Sequence, residues 1–230
     1  MKIEIWSDIA CPFCIIGKRQ LEAALEQYPQ REQVEITWHS FELDPNAKLD
    51  FGMDIFDVLS NKYGMSREQA IDNNDRLSMQ AKSLGLEFNM DKLIPTNTFN
   101  AHRFVHLATS LGMGNKAHEL LFKAYFTDGK KISDVNTLVS IGKEIGIEED
   151  KVVALFNGDA FAYEVRQDEQ EAQNIGVKGV PFFLLDRKYA VSGAQGTPAF
   201  LEALTKIGAE SSIVNTSNEG EVCSTDNPTC

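Results

Sequence analysis

"SDIACPFCIIGKRQLEAALEQY", residues 7–28, carries two of the chain's four cysteines, Cys11 and Cys14, with only Pro12 and Phe13 between them. It follows "KIEIW" (2–6), whose apolar and polar residues alternate as in a strand. Beyond the turn, Ile15, Ile16, Leu21, Ala24, Leu25 and Tyr28 recur at helical spacing until Pro29 stops the run. A helix beginning near Pro12 puts Cys11 at its cap and Cys14 one turn inside, on the same face. Pro12 suits the first helical position, where its missing donor would have no intrahelical partner anyway. Free N–H groups and the positive end of the helix dipole then surround the Cys11 sulfur and favour thiolate, the nucleophilic form. Cys11 can attack or be attacked, and Cys14 is close enough to resolve the product as a small disulfide.

Two other readings of the pair compete. A structural zinc site needs two further Cys or His ligands, and the remaining cysteines, Cys223 and Cys230, stand far away near the C-terminus. An inert buried pair fits poorly with a cysteine at a strand-to-helix turn, where sheets present their chemistry. Composition narrows the field further. Thirty-four acidic against 22 basic residues give a net charge of −12, which argues against nucleic acid and anionic membrane surfaces as partners. No apolar run has the length of a signal peptide or a spanning helix, so a cytoplasmic location is expected. A close cysteine pair there is expected to be catalytic or metal-binding rather than a structural disulfide.

Working outward, "VEITWHSF" (34–41) reads as a second strand, with Val34, Ile36, Trp38 and Ser40 on one face and His39 and Phe41 on the other. From Asp44-Pro45 the character changes. Residues from about 50 to 175 offer amphipathic helices and no convincing strand; one starts at a capping box, Ser66 to Gln69. Strand signals return in "VPFFLLDRKYAVSGAQ" (180–195), a hairpin turning at "DRK". Thr197 and Pro198 then cap a last helix that is expected to end at Gly208. The order β-α-β, helical block, β-β-α predicts an α/β thioredoxin-like fold with a large all-helical insertion. The expected boundaries are 1–45 with 176–210 for the discontinuous sheet domain, 46–175 for the insertion and 211–230 for a C-terminal tail. Pro181, at a strand start, cannot donate to a ladder and belongs at an edge or turn.

Together these stretches resemble the DsbA-like branch of the thioredoxin superfamily, most closely its cytoplasmic FrnE-like members. The resemblance runs through "SDIACPFCIIG", "PTNTFNAHRFVHLA" (95–108), "LFKAYFTDGKKISD" (121–134) and "NIGVKGVPFFLLDRKYAVSGAQ" (174–195). It implies a thiol–disulfide oxidoreductase or isomerase acting on proteins, with Cys11 as nucleophile and Cys14 as resolving thiol. It implies that Pro181 is a cis-proline packed over the cysteines, leaving the Val180 backbone to pair with an extended substrate segment. Pro12 and Phe13 would border that segment, and Asn97, His102 and Arg103 would line a substrate groove. The Pro-Phe dipeptide departs from the Pro-Trp or Pro-His common in the family, so the potential is not carried over. No metal or organic cofactor is implied beyond the redox-active disulfide, with glutathione or a thioredoxin system as recycling reductant.

Weaker candidates complete the reading. Asp8 and Glu42 can shuttle the proton that Cys14 must lose, against the plainer reading of solvated or capping carboxylates. His39 can act on the thiolate from the strand face, against the commoner hydrogen-bonded core histidine. His102 and His106 have i, i+4 spacing but lack the intervening glutamate of a metal helix. Most of Phe99, Phe104, Phe122 and Phe126 belong in the core, with one or two at an apolar rim. Cys223 and Cys230 flank an Asn227-Pro228 turn signal and form a candidate second redox pair, such as FrnE-like proteins can carry at a usually shorter spacing, against the plainer reading of a tail with incidental cysteines. The rival functions are a glutathione-dependent enzyme of the kappa-transferase or 2-hydroxychromene-2-carboxylate isomerase type, and a zinc-binding or holdase module without turnover.

Overall fold

A computed structural model describes residues 1–217. Its four-stranded sheet has the order β2 (Glu35–Ser40), β1 (Lys2–Ser7), β3 (Phe182–Leu185), β4 (Tyr189–Ser192). Strand β1 (Lys2–Ser7) leads through helix α1 (Pro12–Gln27) to β2 (Glu35–Ser40), which pairs with it in parallel, Ile5 opposite Trp38. Strand β3 (Phe182–Leu185) pairs antiparallel on the other side of β1, and β4 (Tyr189–Ser192) continues the hairpin. The chain therefore has the mixed sheet of a thioredoxin-like fold. A central strand is covered on both faces, which is why Ile3, Ile5, Trp6 and even Glu4 and Ser7 are buried. Ile3 and Ile5 point to one face, against Leu21, Ala24, Phe200 and Leu204; Trp6 points to the other, against Ala172 and Val177. Alternation places Ser7 on the Ile3–Ile5 face.

The hairpin closes on a tight turn in which Asp186 (φ 47°) and Arg187 (φ 54°) are both left-handed and the Lys188 N–H donates to the Leu185 carbonyl at 3.0 Å. This geometry matches the strand twist, although neither residue is the glycine usually found there. Side chains hold it in place: Asp186 Oδ1 accepts from the Lys2 N–H at 2.6 Å, and Arg187 forks onto buried Glu4 at 2.8 and 2.6 Å.

Between β2 and β3 the chain is helical: α2 (Ile55–Tyr63), α3 (Arg67–Ser83), α4 (Phe99–Ser110), α5 (Gly114–Phe122), α6 (Val135–Glu144), α7 (Glu149–Phe156) and α8 (Ala162–Asn174). The capping box at Ser66 and Gln69 is formed on both sides. After α5 the chain continues in a π-helical turn over Lys123–Thr127. Carbonyls of Phe126 and Thr127 are there taken by the backbone and side chain of Asn89, which fastens the preceding loop. Phe104, Phe122 and Phe126 enter the core, while Phe99 stays half-buried under the Arg166 guanidinium.

The last helix, α9 (Thr197–Ser217), corrects a boundary: it runs through Gly208 instead of ending there. A Cβ at Gly208 would lie 2.2 Å from the Tyr28 hydroxyl, so this glycine permits close approach of α9 to the end of α1. The sequence alone offers no way to tell a glycine that ends a helix from one that lets two helices touch.

Candidate active site

Cys11 caps α1 in extended conformation and Pro12 begins it, so the local sequence places the sulfur at the helix N-terminus. The Cys11 N–H donates to the Asp8 carbonyl and the Cys14 N–H to the Cys11 carbonyl, at 3.1 and 3.0 Å. Both thiols are free. They sit at the seam of the molecule, since the cluster holding Ile9, Cys11, Cys14 and Ile15 continues into Phe104, Phe122 and Phe126 of the helical block. Their surroundings differ. Cys11 Sγ donates to the Val180 carbonyl at 3.5 Å, and Phe13 beside it is 46% exposed. Cys14 is 1% exposed, and burial first, then the adjoining Cys11, push its thiol well above the ordinary range.

The Val180–Pro181 peptide bond is cis. Pro181 is buried, Val180 half-buried. Gly17, one turn past Cys14, lets α1 settle on this segment: a Cβ there would come within 3.1 Å of both the Pro181 and Phe183 rings. The Pro181 carbonyl accepts from the Gly193 N–H at 2.8 Å, which fixes the segment to the hairpin's far strand.

Asp8 lies under the site, buried, with Oδ2 accepting from the Leu43 N–H at 2.8 Å and Oδ1 from the Ala10 N–H at 3.1 Å. His102 Nε2 stands 3.5 Å from Asp8 Oδ1, an ion-pair separation. Burial raises the Asp8 carboxyl, but His102 and the two N–H donors outweigh it and hold it below the usual carboxylate range. Burial likewise opposes charge on His102, yet Asp8, Glu42 and Glu169 raise it above the ordinary imidazole value. Burial pushes the Glu42 carboxyl up, against the pull of Arg166, which reaches it at 2.7 Å. Asn97 donates to Glu42 at 3.3 Å and accepts from the Phe99 N–H at 2.9 Å, capping α4.

Two expected groove residues are placed otherwise. Arg103 is buried, and its guanidinium donates to the carbonyls of Ala160, Leu155 and Gly158, clasping the turn between α7 and α8. His102 is buried against Asp8 rather than facing a groove. A side-chain row on one helix face cannot reveal which neighbour covers it, and α7 and α8 supply the cover. His39 and His106 converge on Asp168, at 2.7 and 3.1 Å. His39 also stacks on Trp6 at 4.5 Å, the hydrogen-bonded core role. Among the described residues no cluster of His, Cys, Asp or Glu is arranged to hold a metal ion. Cys223 and Cys230 lie outside the described residues.

Sequence reasoning missed Ser7, Lys18, Arg166 and Glu169. Ser7 carried one signal: a polar residue closing an otherwise buried strand just before the cysteines. Lys18, nearly buried in α1, is neutralised by Glu22 and by Glu119 of α5 at 2.5 and 2.8 Å, which ties the cysteine helix to the helical block.

Residues 2–205 match the DSBA-like thioredoxin domain, and the chain belongs to that family of thiol–disulfide oxidoreductases. The crystal structure of a probable DsbA oxidoreductase from Streptomyces coelicolor is 41% identical and superposes with a TM-score of 0.88 over 91% of each chain. A 2-hydroxychromene-2-carboxylate isomerase shares the fold at 13% identity and a TM-score of 0.69, over 93% of this chain and 99% of its own. A cytosolic disulfide reductase, DsbM of Pseudomonas aeruginosa, solved with GSH, does so at 16% and 0.64, over 91% and 100%. No helix among the described residues is long and apolar enough to cross a membrane.

Proposed function

We propose that the protein exchanges disulfides on protein substrates through Cys11, with Cys14 as the resolving thiol. The observation that carries this reading is the asymmetry of the pair: both thiols are buried, but Cys11 lies at the rim beside an exposed Phe13 and a half-buried Val180, whereas Cys14 lies deeper and is held protonated. Cys11 thiolate attacks one sulfur of a substrate disulfide and displaces the other as thiolate. Cys14 then loses its proton and attacks Cys11 Sγ, releasing the second substrate thiol. Two electrons pass to the substrate and the chain keeps an intramolecular disulfide.

An extended substrate strand lies along the Val180 backbone, with Pro12 and Phe13 at its border. Asp8, His102 and Glu42 form the route by which the Cys14 proton leaves. In a FrnE-like protein of the cytoplasm the resting form is the dithiol, favouring reduction or isomerisation, and glutathione or a thioredoxin system recycles the disulfide. Cys223 and Cys230 would join that relay if alkylation mapping traps either of them in a mixed disulfide with Cys11.

Insulin reduction by the wild-type chain should vanish in Cys11→Ser, and Cys14→Ser should accumulate mixed disulfides. Undiminished reduction by Cys11→Ser overturns the proposal. The intact pair of thiols favours exchange over the glutathione-dependent transferase or isomerase reading, which needs a single nucleophile; turnover of a small electrophile with glutathione by Cys14→Ser would reverse that preference.

A further inference from the structure

Ser7 ends β1 on the face that α1 covers, and its side chain is fully buried. Its hydroxyl has no hydrogen-bond partner among the described residues, although a buried hydroxyl normally finds one. The face it lies on is the one covered by α1, which carries the buried Cys14 one turn inside its N-terminus, and the Ser7 hydroxyl is a group that favours the ionised form of that thiol. A thiol is a weak acceptor, so the hydroxyl gains little from it in the dithiol state. A thiolate is a strong one, and a hydrogen bond to a charged acceptor is roughly twice as strong as a neutral one.

We propose that Ser7 is the dedicated donor for the Cys14 thiolate, idle in the resting dithiol and engaged only when Cys14 resolves a mixed disulfide. This rests on the exchange reading above and deepens it. Burial and the adjoining Cys11 both disfavour a charged Cys14, while Ser7 and the Asp8 N–H are the groups that oppose them. Resolution therefore passes through a species that the apolar seam penalises and the end of β1 accommodates. The proton leaves Cys14 before attack; its sulfur bonds to Cys11 Sγ, the mixed disulfide breaks, and the departing thiolate takes up a proton from solvent.

The test reacts the reduced full chain with a chromogenic nitrobenzoate disulfide and follows two thiolate releases, the first from attack by Cys11 and the second from resolution by Cys14. Ser7→Thr and Ser7→Val have nearly the same shape and differ in the hydroxyl. The Val variant should resolve about tenfold more slowly than Thr at neutral pH, with the midpoint of its second-phase pH profile about one unit higher. Equal second phases in the two variants overturn the proposal. If neither folds, Ser7→Ala against wild type decides by the same profile. Absence of a second release in the wild type would instead sink the exchange reading itself, so the two failures are distinguishable.

Discussion

Two histidines of the helical block are buried toward the sheet domain, one against Asp8 and one against β2, and they are shifted in opposite directions. His102 on α4 faces Asp8 and is raised; His118 on α5 stacks on Trp38 at 4.3 Å, has neither nitrogen hydrogen-bonded, and is driven well below the ordinary imidazole value. Burial acts on both alike. What differs is the company: carboxylates of Asp8, Glu42 and Glu169 around His102, and the raised His102 with the Lys18 ammonium toward His118. The region beneath the cysteines is thus built to hold charge, and the region over Trp38 is built as an apolar joint that happens to contain an imidazole. Depth alone does not determine protonation.

The largest effect should come from removing the anion at the first of these places. Asp8→Ala leaves buried His102 and two N–H groups without their acceptor, and should lower stability by about 3–5 kcal/mol in urea denaturation. A loss under about 1 kcal/mol would mean that the pair behaves as a surface contact. In the milder Asp8→Asn, burial should prevail and the His102 titration followed by NMR should fall below that of the wild type.

Asp168, which receives His39, His106 and the Ser40 N–H, comes next. Burial raises its carboxyl, but those donors hold it at about 2. A depressed acid stabilises above its unfolded value and loses that contribution as pH falls toward the folded one. Asp168→Asn should therefore be less stable than wild type at neutral pH, with the gap closing as pH falls from about 4 to about 2. A gap constant across that window would show that the charge is irrelevant there.

His118→Phe should have the smallest effect at neutral pH, because the ring keeps its stacking. Its signature is in the slope. The unfolded chain takes up a proton on this residue as pH falls through about 6.5, while the folded chain resists, so wild-type stability drops on the acid side. His102 has the opposite sign: its contribution is whole below that pH and fades as pH rises through the folded value. The Phe variant should be less acid-sensitive than wild type between about pH 6.5 and 5. Identical pH slopes would break the comparison.

Much of the molecule was legible in the chain. Local periodicity located β1, α1, the helical block and the returning hairpin, and the capping box at Ser66 formed where the pattern put it. Local rules failed where a residue's meaning depends on a distant neighbour. Gly208 looked like a helix end and is a contact with Tyr28; Arg103, which the resemblance assigned to a groove, is a clasp on three carbonyls. The left-handed turn at Asp186 and Arg187 carries no glycine because its side chains are tied to Lys2 and Glu4, almost the whole chain away.

Sequence by itself determined that Cys11 would cap a helix and Cys14 would sit one turn within it, because a strand, a proline at the first helical position and a 3.6-residue repeat are local matters. Only the tertiary structure decided how deeply each thiol is sealed, which carbonyl faces Cys11, and in which direction His102 and His118 are shifted. Those depend on desolvation and on charges brought together by folding: Val180 reaches Cys11 only when β3 pairs with β1, and His102 and His118 meet Asp8 and Trp38 only once the helical block has closed over the sheet.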